Sequence, residues 1–304
     1  MKLATTTCDF RYYCQNDIER IRLLHKAGFR YIDLDMYTWT PDSPYLKDGW
    51  QDIVIALKKE ADRLGVQFVQ AHSQCGNPLD RDPEKLDFLV TSTVRSIEVC
   101  KMLGIQNTVV HPGYDPNIGK DEWFERNLAF YRRLFPAMEQ FEVNVLTENS
   151  TAANMGEIYF ANSGADMLQF LQFAGHPLLH ACWDTGHANC EGPQYNDILT
   201  LGKELYAIHY NDNHGKEDEH LIPYFGTLNH DEVIHGLMDI NFSGYFTLEC
   251  GSSLIRSDNW LGGRRPFDGD TRLIEPDIAM QEKCVSLAYD ISKHILSSYG
   301  LFQE

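Results

Sequence analysis

Short apolar runs alternate with longer stretches of helical periodicity along this chain of 304 residues. Eight of the runs have the length and the β-branched or aromatic content of buried strands. They cover residues 2–8, 29–37, 66–72, 107–111, 144–148, 179–184, 205–211 and 245–250. Each run is followed by a stretch that predicts a helix, so the pattern indicates eight consecutive βα units.

The predicted helices have residues at their ends that are typical of helix starts and stops. They cover about 16–28, 51–64, 83–103, 121–141, 164–174, 197–202, 230–240 and 279–297. Asn16 is a typical cap and Gly28 a typical stop, whereas Pro136 is of a type that interrupts helices. Strict βα alternation predicts a parallel sheet, and eight units predict a (β/α)8 TIM barrel built as one domain, residues 1–304.

Six of the predicted strands end in a residue that can bind a metal ion. These residues are His72, His111, Glu148, Asp184, His209 and Glu249. The main alternative fold is an open doubly wound sheet, which gathers its ligands at one crevice rather than from nearly every strand. Contributions from strands 3 to 8 therefore favour the barrel, whose strand ends meet at one mouth.

Strand alternation supports the same geometry, because successive side chains of a strand point to opposite faces. Glu249 shares a face with Thr247, Asp184 with Cys182, and His209 with Ala207. We therefore expect these polar residues to face the barrel axis while their neighbours in sequence pack outward.

Composition narrows the class of protein. The net charge is −18 with a pI near 5.0, and no dense Lys/Arg block is present, which disfavours nucleic acid as a partner. No run approaches the roughly 18 apolar residues of a membrane span, and the N-terminal segment lacks the apolar region of a signal peptide. We expect a cytoplasmic enzyme with eight reduced cysteines, since no CxxC pair occurs.

The strongest candidate chemistry is a set of three carboxylates and one imidazole. Glu148, Asp184, His209 and Glu249 form a hard, oxygen-rich donor set that suits Mn²⁺, Mg²⁺, Co²⁺ or Zn²⁺. Carboxylates this close would repel one another without a cation. The alternative is that each one caps a helix or pairs with a separate cation, which is less favoured for four residues at the same barrel face.

Further polar and aromatic residues surround this set in the sequence. His187 follows Asp184 by three residues, and Asp218 and His220 form a D-x-H pair after strand 7. Alternatives stay open here, namely core histidines for His72 and His111 and a solvated loop for Asp218 and His220. The loop after strand 2 carries Tyr37, Trp39, Tyr45 and Trp50, which suit either the apolar face of a sugar or packing of the loop itself. Arg264 and Arg265, after strand 8, are candidates for anion binding or for an oligomer or lid surface.

At this point the motifs resemble those of the xylose isomerase-like barrels. They are HPG at His111, TEN at Glu148, DTGH at Asp184, HYND at His209, DEHLIPYFGTLN from Asp218, and LE at Glu249. This superfamily comprises sugar and sugar phosphate isomerases and epimerases, inosose dehydratases and the endonuclease IV group. The motif order is kept over nearly the whole chain.

The resemblance implies roles for these residues. It makes Glu148, Asp184, His209 and Glu249 the shared metal ligands. In the epimerase branch, Glu148 and Glu249 also exchange protons with the substrate. In the epimerase branch His187 binds substrate, and we place His72, His111, Trp39 and Lys216 with it. In the endonuclease IV branch the possible additional metal ligands are His72, His111, His187, Asp218 and His220.

Two departures from these branches bear on function. Ketose epimerases carry an arginine a short way past the strand-7 histidine, where this chain has Lys216. Endonuclease IV needs basic loops that grip DNA, and this acidic chain shows none.

We therefore expect an isomerase or epimerase that uses a divalent metal, Mn²⁺ or Zn²⁺, and no organic cofactor. Its expected substrate is a small carbohydrate: a sugar, a sugar phosphate or an inositol derivative. A zinc phosphodiesterase acting on abasic DNA and an inosose-type dehydratase are the alternatives. A homodimer and a homotetramer both stay open.

Overall fold

The computed structural model describes residues 1–156, 159–251, 253–254, 256–257, 265 and 267–304. Its strands are β1 Leu3–Thr6, β2 Tyr31–Asp35, β3 Gln67–His72, β4 Asn107–Val109, β5 Asn144–Glu148, β6 Leu179–Asp184, β7 Leu205–His209 and β8 Phe246–Leu248. Its helices are α1 Asp17–Ala27, α2 Trp50–Leu64, α3 Pro83–Leu103, α4 Lys120–Phe141, α5 Ala152–Met155, α6 Gly164–Ala174, α7 Thr185–Glu191, α8 Tyr195–Leu201, α9 His230–Asp239 and α10 Ile278–Ser298. Short 3₁₀ turns cover Thr7–Phe10, Pro44–Leu46 and Gly202–Glu204.

The eight strands form one parallel sheet in the order β7-β6-β5-β4-β3-β2-β1-β8. Its two ends are brought together just past β7. The amide of Tyr210 donates to Thr247 O at 2.7 Å, and the amide of Glu249 donates to Tyr210 O at 3.2 Å. These bonds close the sheet, so the predicted (β/α)8 barrel is confirmed.

Inside the barrel, directly beneath its mouth, four buried side chains form a small apolar layer. Val109, Leu146, Cys182 and Ala207 form a buried cluster separate from the main core. Each lies two residues before His111, Glu148, Asp184 or His209, respectively. Because strand side chains alternate with a period of two, this layer and the polar residues above it share the inward face. The predicted alternation is thereby confirmed, and the larger core lies between the sheet and the helices.

The ends of the first helix follow from their residue types. Asn16 Oδ1 accepts a hydrogen bond from the amide of Glu19, and Gly28 ends the helix with φ of 115°. A side chain at Gly28 would be strained at that φ and would approach the ring of Tyr289 to 3.0 Å. The cap and the stop predicted for this helix are both confirmed.

The main differences from the predicted elements lie in helices. α4 runs through Pro136 without a break. α5 (AANM) and α7 (TGHANCE), which follow β5 and β6, were not predicted, because neither sequence has large apolar residues at helical spacing.

Three further observations bear on the sequence predictions. All eight cysteines lie in the described part of the chain, and each is a free thiol. Among the described residues, no helix has both the length and the apolar content to cross a bilayer. Arg264, a candidate for anion binding, lies outside the described residues.

Candidate metal centre and active site

Four polar side chains meet at the mouth of the barrel, as predicted. Ligand atoms of Glu148, Asp184, His209 and Glu249 all lie within 4.8 Å of one another. Nδ1 of His209 is 2.5 Å from Glu148 Oε1 and 3.4 Å from Glu249 Oε2. Asp184 ends β6 and caps α7, where its Oδ1 accepts from the amide of His187 at 2.7 Å. The strand ends therefore deliver three carboxylates and one imidazole to a common point.

The carboxylates and the imidazole of this cluster are buried, and each shifts the pKa of its neighbours. Burial would raise the pKa of Glu148, but its imidazole contacts, chiefly the charge of His209, outweigh this effect and hold the pKa well below its ordinary value. Burial also raises the pKa of Glu249, and the charge of Glu148 adds to that effect. Burial would lower the pKa of His209, yet the carboxylates of Glu249 and Glu148 raise it well above its ordinary value. The carboxylates of this site therefore strongly stabilise a positive charge placed among them.

Two further histidines approach the second oxygen of Glu148. Nε2 of His111 and of His72 lie 3.1 Å and 3.6 Å, respectively, from Glu148 Oε2. The same two nitrogens are 3.1 Å apart. Burial lowers the pKa of His111 to about 3, so its ring is neutral and keeps a free electron pair. Glu148 therefore offers one oxygen to His209 and the other to this histidine pair.

A separate group lies beside the cluster, on the loops after β6 and β7. Nε2 of His187 and Nε2 of His220 lie 3.1 Å and 3.0 Å from the same atom, Asp218 Oδ2. Their Nδ1 atoms are held by backbone carbonyls, at 2.9 Å from Asn149 O and 3.0 Å from Glu249 O. Such bonds orient a histidine so that Nε2 can act as a ligand.

The same group carries backbone and charge features typical of functional sites. His220 has φ of 49°, a left-handed conformation that is uncommon outside glycine. Burial would lower the pKa of His220, but the charge of Asp218 raises it to about 10. The predicted D-x-H pair is therefore buried in the site rather than solvated.

One cavity of about 500 Å³ connects these groups. Its wall includes Glu148, Glu249, His72, His111, His187, Asp218 and His220. Tyr37, Tyr114 and Asn154 add further polar and aromatic surface. The volume suits a small organic molecule.

Two residues predicted to bind substrate lie away from this cavity. Lys216 is exposed, and Trp39 is buried against Tyr45 with ring centroids 5.0 Å apart. Neither is among the described residues that line the wall. Their role in substrate binding stays a prediction. The structure packs the Trp39 ring against Tyr45, which agrees with the alternative that the aromatic residues pack the loop itself.

Several supporting residues were not predicted. Asn211 Nδ2 donates to Asp184 Oδ2 at 2.7 Å, and Asn149 Oδ1 accepts from the amide of Asp184 at 2.6 Å. Asp33 Oδ2 lies 3.3 Å from Nε2 of His209 and accepts from Gln70 Nε2 at 2.7 Å. Asn149 and Asn211 stand inside the TEN and HYND motifs, which was a usable signal. Asp33 and Gln70 lie on strands without any such motif.

The donor set fits a divalent cation. Hard cations prefer carboxylate oxygens with one or two imidazoles, and buried carboxylates need a positive partner. Glu148, Asp184, His209 and Glu249 satisfy both conditions. The groups His72–His111–Glu148 and His187–Asp218–His220 offer donor atoms for additional ions.

The fold and this cluster define a class: a TIM barrel with a histidine–carboxylate site at the carboxyl ends of its strands. Residues 21–265 match the family model described as "Xylose isomerase-like TIM barrel". The chain belongs to that family.

Curated relatives and solved structures add further comparisons. The uncharacterized protein MJ1311 of Methanocaldococcus jannaschii is 26% identical over 202 residues, which covers 64% of this chain and 67% of that protein. The structure of D-psicose 3-epimerase with D-tagatose from Clostridium cellulolyticum H10 has a TM-score of 0.76 at 19% identity, covering 97% of this chain and 99% of that one. The 3-keto-D-glucoside 4-epimerase YcjR from E. coli has a TM-score of 0.70 at 17% identity, covering 96% and 99%. At these identities the structural likeness shows the fold.

Proposed function

We propose that the protein is a divalent-metal-dependent isomerase or epimerase that acts on a sugar or a sugar derivative. The observation that carries this proposal is the contact of two glutamates, Glu148 and Glu249, with the same atom, Nδ1 of His209. Both glutamates also line the 500 Å³ cavity. Two carboxylates in one site can remove a proton from a bound molecule and return one to it.

The names of structurally similar proteins support this choice of reaction. Several are sugar epimerases, among them D-psicose 3-epimerase and L-ribulose 3-epimerase. Those activities belong to those proteins, and the shared barrel makes the same class of reaction the first to test here.

The residues of the site support the following reaction. A divalent ion held by Glu148, Asp184, His209 and Glu249 would supply a Lewis acid that polarises the substrate carbonyl. One of the two glutamates removes a proton from the carbon beside that carbonyl, and the other returns a proton. Return to the opposite face gives an epimer, and return to the adjacent carbon gives an isomer.

His187 stabilises the negative charge that develops on the substrate oxygen. Burial would lower the pKa of His187, but Asp184 and Asp218 raise it well above its ordinary value. The ring therefore carries a proton on Nε2, which lies 3.1 Å from Asp218 Oδ2, so that Asp218 and the substrate oxygen would share this N–H.

The test is a pair of isosteric variants, Glu249→Gln and Glu148→Gln. Each is assayed with a panel of keto-sugars and inososes in the presence of Mn²⁺ and of Zn²⁺. We expect turnover to fall by about a hundredfold or more, because an amide cannot accept the proton. The fold should persist by circular dichroism. A fully active Glu249→Gln enzyme would overturn the assignment.

Glu204→Gln is the matched control, because Glu204 also pairs with a histidine. Its Oε2 lies 2.9 Å from His180 Nδ1, at the start of β7 rather than at its end. We expect this variant to keep full turnover. A product lighter by one water would identify a dehydratase instead.

A second candidate is hydrolysis of a phosphate ester by a site with several metal ions. The observation that favours it is the bridging position of Glu148 together with the separate group His187–Asp218–His220. Seven of the nine positions that resemble endonuclease IV ligands line one cavity, and ligand atoms of the other two, Asp184 and His209, lie within 4.8 Å of those of Glu148 and Glu249. The net charge of −18 disfavours a DNA substrate.

Metal analysis of the purified protein separates these candidates. One ion per chain, with no cleavage of a duplex that contains an abasic site, removes the hydrolase. Three zinc ions per chain together with such cleavage would replace the isomerase.

A further inference from the structure

One buried cation shares the cavity with the glutamates of the proposed mechanism. Arg11 follows the 3₁₀ turn Thr7–Phe10 after β1, and its side chain is 14% exposed. It lines the same wall as Glu148 and Glu249. Nothing in the mechanism above uses it.

The guanidinium of Arg11 is held in one orientation. Its Nε and Nη2 donate to Asp35 Oδ2 at 3.2 Å and 2.9 Å, and Nη2 also donates to Cys8 Sγ at 2.8 Å. Asp35 is fixed in turn, because its Oδ1 accepts from the amide of Tyr37 at 3.0 Å. Its own amide donates to Thr7 Oγ1 at 2.9 Å.

The remaining nitrogen of Arg11, Nη1, makes no hydrogen bond to any described residue. It belongs to a residue that lines the cavity, so its two N–H groups are available to a bound molecule. A buried ion pair is seldom more stable than an apolar pair of the same volume. A contribution to fold stability therefore explains the Arg11–Asp35 pair poorly, whereas a role in binding a ligand explains it well.

The charges around the cavity indicate which chemical group of a bound molecule Arg11 contacts. Arg11 is the one lysine or arginine among the described residues of the wall, and Asp35 neutralises it. The wall also carries the acids Glu148, Asp218 and Glu249, and the histidines His187 and His220, which both contact Asp218 Oδ2. A phosphate group at Arg11 would meet a cation that Asp35 already neutralises and would lie beside the like charge of Asp35. A hydroxyl oxygen, in contrast, can accept from Nη1 without adding a charge.

We infer that Arg11, oriented by Asp35, binds a hydroxyl group of the substrate away from the reacting carbons, so that the site selects free sugars over phosphorylated ones. This inference rests on the proposed function. Arg11 contacts the substrate, and Asp35 is the positioning residue that also cancels its charge.

The experiment measures kcat and KM for D-psicose, D-tagatose, D-fructose and their 1- and 6-phosphates. The metal-loaded wild type should prefer a free sugar over its phosphates by about a hundredfold or more, because unpaired like charges cost several kcal/mol. Arg11→Met should raise KM for the free sugar by about tenfold to a hundredfold, with kcat changed less. Asp35→Asn should narrow the preference, because it leaves the charge of Arg11 free to bind phosphate.

Arg20→Met is the matched control. Arg20 is also ion-paired, to Asp17 at 3.0 Å, and its side chain is 16% exposed, but it does not line the cavity. Its KM should equal that of the wild type. If Arg11→Met fails to fold because Asp35 is left unpaired, the double variant Arg11→Met with Asp35→Asn removes both charges and gives the same KM test.

The outcomes separate this inference from the proposed function. The inference is overturned if Arg11→Met turns over free sugars with an unchanged KM, or if the wild type prefers a phosphorylated sugar. Either result leaves the proposed isomerase or epimerase function standing. A wild type that turns over none of these sugars and their phosphates overturns both.

Discussion

Asp9 is a buried acid whose environment predicts a large effect of pH on stability. It lies in the turn after β1 and accepts a hydrogen bond from Thr5 Oγ1 at 2.6 Å. Burial raises its pKa to about 7 from an ordinary 3.8; the bond from Thr5 opposes this, and the nearby charges of Glu249 and Asp35 add to it. The perturbation is Asp9→Asn, which keeps the shape and removes the titration.

The sign follows from the raised pKa. Between pH 3.8 and about 7 the folded chain binds a proton that the unfolded chain has released, so wild-type stability falls as pH rises through this window. Below the window Asp9 carries no penalty, and above it the penalty is complete. At about 1.4 kcal/mol per pH unit the full penalty is about 4 kcal/mol, of which about 2 kcal/mol is already present at pH 5.

The assay is urea unfolding of wild type and Asp9→Asn from pH 5 to pH 8, with a chelator present so that metal binding does not contribute. We expect the variant to be more stable, with its advantage growing by about 2–3 kcal/mol across this range. Asp48→Asn, on the exposed loop before α2, is the control and should change stability by less than about 0.5 kcal/mol. An advantage that is constant with pH, or that shrinks as pH rises, would show that the pKa of Asp9 is not raised by folding.

Two further predictions concern the shape of the site. Asn211→Ala removes the bond to Asp184 Oδ2 and should weaken metal affinity by about tenfold to a hundredfold, as measured by competition with a chromogenic chelator; an unchanged affinity would contradict this role. Gly113→Ala, two residues after His111, would place a Cβ 2.5 Å from Leu79 Cγ and 2.7 Å from its backbone nitrogen. We expect it to destabilise the fold by about 1–3 kcal/mol in urea unfolding, and stability equal to the wild type would show that the loop adjusts freely.

The metal-ligand candidates could be predicted because their signal is local. A hydrophilic residue at the end of an apolar strand has a known direction, and the period of two places it above the inner layer. Glu148, Asp184, His209 and Glu249 therefore followed from the sequence alone. The D-x-H pair, Asp218 and His220, was weaker as a signal, because an acidic loop is usually solvated.

The supporting residues could not be predicted, because their partners are distant in sequence. Arg11 and Asp35 are 24 residues apart, and Asp33 meets His209 across 176 residues. An isolated charge after a strand is as typical of a surface ion pair as of a cavity wall. Lys216 shows the reverse case: the spacing suggested a substrate contact, while the structure places the residue in an exposed loop.

Pro136 illustrates how context outweighs a local rule. Proline removes one backbone hydrogen bond, yet α4 has 22 residues and buries Trp123, Phe124 and Tyr131 against the core. The packing of the rest of the helix stabilises it despite the lost bond.

In the proposed reaction, Glu148 and Glu249 move a proton at a carbon beside a carbonyl. The most direct test is turnover of a ketohexose in D₂O, with the position of deuterium in the product read by mass spectrometry and NMR. We expect metal-dependent product with deuterium at the reacting carbon, and none from Glu249→Gln. Product without deuterium, or equal product from Glu249→Gln, would contradict the proposed reaction.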